Sequence, residues 1–246
     1  MRKTFLAAAA ALALGVSAPA CAQDAHSAIA AAVADSLRPE ADTARDVHRK
    51  PAEIVEFAGV RPGDMVAEIA PGGGYFTRIL ARSVGPEGHV YALVPAAFAS
   101  RPGGLDAINA LAAQYGNVTV VPVDMAAFTL DLPVDLVWTT ENYHDLHNGP
   151  APSFAGVNNS AFAALKPGGI YFVEDHSAPG AGTSVTQTLH RIDPAAVIAE
   201  VEAAGFQFEA QSDVLANPND PHDVGVRDPS IQGETDKFAL RFRKPG

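Results

Sequence analysis

The sequence predicts one doubly wound α/β domain: a mostly parallel sheet of seven strands, helices on both faces, the last strand antiparallel. Three observations carry that prediction. From Asp64 onward, short β-branched runs alternate with helical segments of roughly ten to fifteen residues. A glycine-rich turn, Pro71-Gly72-Gly73-Gly74, joins the first strand to the first helix of the sheet. The last two strands have no helix between them, so they are expected to pair around an extended loop. At 246 residues the chain is too short for two large domains and ample for one well-filled core.

Residues 1–22 read as a secretory signal. Arg2 and Lys3 form a positive start, residues 5–16 an apolar stretch, and Ala20-Cys21-Ala22 a small-residue cleavage site that leaves Gln23 first. The apolar run falls short of the roughly 20 residues that span a bilayer, so a membrane span is not expected. Lipidation at Cys21 is the weaker alternative, because Ala18 and Pro19 suit it poorly. An exported, periplasmic protein is expected. Residues 23–58 then form an N-terminal helical extension and residues 59–246 the sheet domain.

The elements follow in order. Residues 27–37 are Ala-rich with helical spacing, stopped by Pro39. Residues 45–58 form a second helix whose better half follows Pro51. Strands are expected at 64–70, 89–94, 118–123, 134–140, 170–174, 206–215 and 238–243. Helices are expected at 75–84, 105–115, 155–165 and 194–204, closed by Gly85-Pro86 after the first and by Lys166-Pro167-Gly168-Gly169 after the third.

Composition excludes several classes. Cys21 is the only cysteine, so the rest of the chain has no disulfide framework and no cysteine metal site. The net charge is −11, and losing Arg2 and Lys3, the only charges among residues 1–22, makes it −13. No basic cluster longer than Arg49-Lys50 offsets that, so nucleic acid is not an expected partner. The sequence does not reveal the oligomeric state.

The glycine turn lets the backbone approach a ligand, and the following helix start presents free N–H groups. It departs from the dinucleotide fingerprint. Thr77 stands where a third small residue is wanted, and the second strand ends in Leu93-Val94-Pro95 without the expected acid. A purely structural tight turn is the bland alternative.

Ligands of open α/β sheets bind outside the carboxyl ends of the strands. Two polar groups fall there: Glu141-Asn142-Tyr143-His144-Asp145 with His147, and Glu174-Asp175-His176. A histidine accepts a proton near neutral pH, and an adjacent carboxylate raises its basicity. His144 is the expected base, Asp145 its orienter and His176 the second candidate. The alternative is that these side chains only cap strand ends. A metal held by His144, His147, His176 and Asp145 is conceivable, but two histidines three apart are common by chance, so no metal is assigned. The chain has neither an Asn/Asp-Pro-Pro-Tyr motif nor a Gly-x-Ser-x-Gly elbow, which argues against base-amine methylation and against an α/β-hydrolase.

The run from Glu68 to Gly74, with Val123-Asp124-Met125 and Leu165-Lys166-Pro167-Gly168-Gly169, resembles class I S-adenosylmethionine (SAM)-dependent methyltransferases, whose sheet is Rossmann-like. Four further segments resemble exported bacterial predicted methyltransferases. They are Arg45-Asp46…Arg49-Lys50-Pro51, Asn142-Tyr143-His144-Asp145-Leu146, His190-Arg191-Ile192-Asp193 and Asp228-Pro229…Thr235-Asp236. The resemblance spans roughly residues 45 to 243. It implies SAM as cofactor, with Gly72, Gly73 and Gly74 beside its methionine part and Glu68 fixing the loop or the amino group. Asp124, next to Met125, would accept from the adenine amino group. Ala70 replaces the first glycine of the usual run, and Val94 stands where such enzymes place an acid for the ribose hydroxyls.

The leading expectation is thus a SAM-dependent methyltransferase acting on a small molecule. A catalytically silent binding protein of the same fold is the alternative, favoured by Val94 and by export away from the SAM supply. A metal-dependent hydrolase on this scaffold rests only on the His/Asp groups.

Overall fold

The structure, a computed structural model, describes residues 18–149 and 153–246. Most of the predicted leader, residues 1–17, lies outside the described residues; residues 18–22 belong to the first helix. The helices are α1 (Ala18–Val33), α2 (Glu40–Thr43), α3 (Asp46–Arg49), α4 (Pro51–Ala58), α5 (Tyr75–Val84), α6 (Ala96–Ala99), α7 (Asp106–Tyr115), α8 (Phe154–Ala164), α9 (Thr186–Leu189) and α10 (Pro194–Ala203). The strands are β1 (Met65–Ile69), β2 (His89–Pro95), β3 (Val118–Val123), β4 (Val134–Thr140), β5 (Leu165–His176), β6 (Gln207–Ser212) and β7 (Lys237–Arg243).

The strands form one sheet in the order β3-β2-β1-β4-β5-β7-β6, with β7 antiparallel to both its neighbours. The expected architecture is therefore observed. Both faces of the central strands are buried, while the edge strand β6 is largely exposed, and the side chains alternate between the faces as the pleat requires. Val66, Leu136, Trp138 and Phe172 pack towards α1, α4, α5 and α7. Ala67, Val137, Tyr171 and Val173 pack towards α8 and α10. The N-terminal extension is part of the first layer, since Ile29, Ala32, Ile54, Val55 and Ala58 are buried in the same core as the strands.

Several boundaries differ from the sequence reading. The helix read at 45–58 is broken at Lys50, which is left-handed. The first helix starts at Ala18, and the strand read at 206–215 is shorter, Gln207–Ser212. The helix expected at 27–37 ends at Val33 because the Arg38 guanidinium donates to the Val33 carbonyl (2.6 Å) and then forks onto Asp46 (2.8 and 2.6 Å). A side chain thus satisfies the last turn before Pro39 is reached. Residues 166–169, read as a helix stop, lie inside β5: Val134 pairs with Leu165 and Leu136 with Ile170, so they bulge out opposite Asp135. Lys166 holds the bulge to the Asp135 carboxylate at 2.8 and 2.9 Å.

The strand order reverses direction between β1 and β4, which are hydrogen-bonded neighbours. The crevice at that point is where such sheets receive ligands. It brings together the glycine turn after β1 and the polar segment after β4.

Candidate functional site

On the β1 side the turn is built by backbone conformation. Gly72 and Gly74 have φ of +56° and +80°, and Ala70, at φ +50°, takes the same left-handed region at some cost in strain. The two glycines differ in what surrounds them. A Cβ at Gly72 would meet nothing within 4 Å, whereas one at Gly74 would lie 2.4 Å from Leu111 Cδ1. Gly72 therefore faces open space and Gly74 faces the core. The opening beside Gly72 is a largely apolar cleft of about 220 Å³, bordered by Ala70, Gly72, Val94, Phe98, Ile108 and Asp145.

On the β4 side the site is built by side chains from distant parts of the chain. A cleft of about 430 Å³ is bordered by Arg49, Glu141, His144, Asp145, His190 and Lys237, among others. Arg49 comes from α3, where Lys50 (φ +41°) and Pro51 end the helix and aim the chain back. Its guanidinium lies over the Tyr75 ring, 4.6 Å from the centroid, and donates to Glu141. Lys237 Nζ reaches the other Glu141 oxygen at 2.8 Å. Burial alone would raise the Glu141 carboxyl, but Lys237 and Arg49 hold it far below the usual carboxylate range.

His144 is 3% exposed and held at two points by one carboxylate. Its backbone N–H donates to Asp175 Oδ2 (2.7 Å) and its Nδ1 hydrogen-bonds Asp175 Oδ1 (2.8 Å). A carboxylate only accepts, so Nδ1 carries the proton and Nε2 of the neutral ring is an acceptor. Burial alone would lower the His144 pKa, but Asp175 outweighs it and holds the ring above its ordinary value. Nε2 points at Asp145 Oδ1 (3.4 Å) and His190 Nδ1 (3.3 Å).

Arg191, fully buried, fixes the segment that carries His190. Its guanidinium pairs with the Asp220 carboxylate at 2.8 and 3.2 Å and donates to the carbonyls of Ser177 and Val224. His190 itself has a φ of +56°, outside the range that an unconstrained side-chain-bearing residue prefers.

The predicted residues fall into three groups. Gly72, His144 and Asp145 reach the crevice as expected. Glu68 does not: it is 2% exposed, accepts from Thr77 Oγ1 at 2.6 Å, and is pushed up to about 7 by burial. It ties the strand to α5 from beneath. Gly73, Gly74, Asp124 and Met125 do not border the apolar cleft; Asp124 accepts from Ala126 N–H (3.0 Å), one residue beyond the Val123 that pairs with Pro95.

The polar assignments also change. The carboxylate that orients His144 is Asp175, while Asp145 is exposed and faces the other ring nitrogen. His176 borders the cleft, but burial lowers its pKa to about 4 and its Nδ1 is engaged by Thr235 Oγ1 (2.8 Å), so it is a poor proton acceptor. His147 stacks on Phe154 and meets Glu200 at 3.1 Å, away from the cleft. His190 and Asp175 were not assigned roles from sequence. The segment His190-Arg191-Ile192-Asp193 stood out there, but nothing local pairs it with a histidine 46 residues away.

No family model matches the chain. A protein-L-isoaspartate O-methyltransferase of Ignicoccus hospitalis is 31% identical over 132 residues, which cover 52% of this chain and 55% of that protein. The match thus spans about half of that curated relative's length. Among solved structures, the glycopeptide N-methyltransferase MtfA complexed with SAM superposes with a TM-score of 0.55 at 20% identity, over 79% of this chain and 87% of that one. The [4+2]-cyclase SpnF superposes at 0.59 and 17% identity, over 90% and 93%. These likenesses show the fold: the chain has the class I SAM-dependent methyltransferase architecture. They also show that it serves more than one reaction.

Proposed function

We propose that the protein is a SAM-dependent methyltransferase whose donor lies in the cleft beside Gly72 and whose small-molecule acceptor lies in the cleft beside His144. One observation carries the reading: Asp145 borders both clefts, so the two binding spaces meet at the polar end of the site. A methyl donor on one side and a nucleophile on the other would face each other across that residue. The glycine turn, the strand-switch crevice and the 31% identity to a methyltransferase support it.

Methyl transfer from a sulfonium needs no covalent help from the protein. When bound, SAM would supply a methyl group whose carbon–sulfur bond breaks, the electron pair staying on sulfur, as the acceptor's oxygen or nitrogen attacks. The protein must align the two molecules and take up the acceptor's proton. His144 Nε2 would receive it, with Asp175 on Nδ1 stabilising the resulting imidazolium. Arg49, pinned to Glu141, would close the cleft on the N-terminal side and exclude water. The cleft of about 430 Å³, walled by fixed charges, suits a small polar acceptor.

Val94, 7% exposed in the donor cleft, favours a second reading, a binding protein without catalysis. A valine accepts no hydrogen bond from ribose hydroxyls, and each unpaired group costs about 1–3 kcal/mol. Incubating the protein with methyl-labelled SAM and a panel of small hydroxy and amino compounds separates the two readings. Label transfer that is lost in His144→Asn supports the enzyme, and SAM binding without transfer to any acceptor supports the second reading.

The localisation is part of the proposal. Residues 1–22 would direct export, with the mature chain starting at Gln23. No helix among the described residues is long and apolar enough to cross a membrane.

A further inference from the structure

The three groups that face one another at the polar end form a nearly equilateral triangle. His144 Nε2 is 3.3 Å from His190 Nδ1 and 3.4 Å from Asp145 Oδ1, and the last two are 3.5 Å apart. These contacts are longer than good hydrogen bonds, and charge-assisted ones are shorter still, about 2.7–2.9 Å. They match another geometry. In a tetrahedral site with bonds of about 2.0–2.1 Å, neighbouring ligand atoms lie about 3.3–3.4 Å apart. The circle through the three atoms has a radius of about 2.0 Å, so an ion just above their plane would reach all of them at bonding distance.

We infer that His144, Asp145 and His190 form a site for a divalent transition-metal ion of tetrahedral preference, Zn²⁺ being the representative, with its fourth position open to the cleft beside Arg49. The electronic argument agrees with the geometric one. With the His144 Nδ1 proton committed to Asp175, the Nε2 lone pair of the neutral ring points at a carboxylate oxygen. Without an ion, a proton on His190 Nδ1 bridges to that lone pair at 3.3 Å; a cation would take the proton's place and satisfy all three donor atoms at once. Asp175 is then the outer carboxylate that metal-bound histidines use to fix tautomer and orientation. The remaining neighbours are also consistent. His190 is held on a segment pinned by the buried Arg191–Asp220 pair, so the triangle is organised before an ion arrives. Two imidazoles and one carboxylate are a donor set that suits Zn²⁺ or Fe²⁺ more than Mg²⁺ or Ca²⁺. Three protein ligands with one open position are the pattern of reactive rather than purely structural zinc.

The binding of the ion stands apart from the methyl-transfer reading; only its use rests on that reading. The ion and a proton are alternative occupants of His144 Nε2. In the loaded protein, an acceptor oxygen in the fourth position would lose its proton through coordination rather than to the imidazole. That oxygen would lie beside Asp145, where the donor cleft begins.

The test uses the full chain freed of metal by a chelator and then titrated with Zn²⁺ in competition with a chromophoric chelator, and with Co²⁺ as a spectroscopic substitute. The expected result is one ion per chain and an intense tetrahedral Co²⁺ band. Asp145→Ala and His190→Ala, both at accessible side chains, should weaken binding at least hundredfold, and Asp175→Asn roughly ten- to hundredfold. His48→Ala, on the same cleft but outside the triangle, should leave it unchanged. Absent binding, equal binding by the Asp145 and His190 variants, or a weak octahedral Co²⁺ spectrum overturns the site. The titrations contain no SAM, so their failure leaves the methyltransferase reading untouched, and loss of transfer with intact Zn²⁺ binding overturns that reading alone.

Discussion

The two halves of the crevice are built in opposite ways. The half beside Gly72, proposed for the donor, is a backbone device: three residues at positive φ shape an apolar opening bordered by Val94, Phe98 and Ile108. The half beside His144, proposed for the acceptor, is a side-chain device, in which Arg49, Glu141, His144, Asp175, His190 and Lys237 meet from five places in the chain. The difference teaches where tolerance to change lies. A ligand in the first half is held mainly by shape and peptide groups, so most side chains there are replaceable. In the second half each charged group is the partner of another, and removing one strands a buried charge.

The largest expected effect lies in the support of the second half. Replacing the fully buried Arg191 with methionine leaves Asp220 without its countercharge, held only by the His222 and Asp236 N–H groups, and should cost about 3–5 kcal/mol of stability, measured by denaturant unfolding. A loss under about 1 kcal/mol would mean that the segment carrying His190 is not pinned as described. Next comes His144→Asn, whose amide nitrogen can keep the bond to Asp175 while Nε2 is lost. Turnover should fall roughly a hundredfold or more with little change in SAM affinity. The pH dependence follows from the same group. Asp175 holds the His144 pKa above its ordinary 6.5, and only the neutral ring accepts a proton. Activity should therefore be full above that raised pKa and fall as pH drops through it. A limb that survives in His144→Asn would assign it to another group.

Smaller effects sharpen the donor half. Gly74→Ala forces a Cβ to 2.4 Å from Leu111 Cδ1 at a φ of +80°, and should cost about 1–3 kcal/mol of stability. Val94→Asp should strengthen SAM binding by about tenfold, the value of one well-placed hydrogen bond to ribose. Weaker or unchanged affinity in that calorimetric comparison would place the ribose elsewhere.

The same contrast explains what was legible in the sequence. Strands β1 to β4 and helices α5 and α7 are visible because each rests on local periodicity bounded by glycine and proline. The glycine turn is legible for the same reason, since Gly72 and its neighbours are contiguous. The start of β5 was hidden because residues 166–169 read as a break and are in fact a bulge. In the acceptor half, sequence proximity misled: Asp145 is adjacent to His144, but the carboxylate on its Nδ1 is Asp175, 31 residues away across two strand ends. Likewise, His190 joins the site through long-range contacts of its neighbours: the buried Arg191 and the backbone bonds of Leu189 and Ile192. Glu68 shows a motif position whose partner only the fold decides. Its place in the motif left two roles open, fixing the loop or meeting the ligand, and the pleat turns it inward to Thr77, where it ties the strand to α5.

The most direct test of the two-cleft account is calorimetric titration with SAM of the protein and of Gly72→Phe. Because a Cβ at Gly72 meets only open space, the phenyl ring should occupy the donor cleft without displacing the core, at the modest cost of a positive φ. The account predicts one SAM site per chain in the unchanged protein and none in the variant, with the two unfolding alike within about 1–2 kcal/mol. Equal binding by both proteins, or none by either, would contradict it.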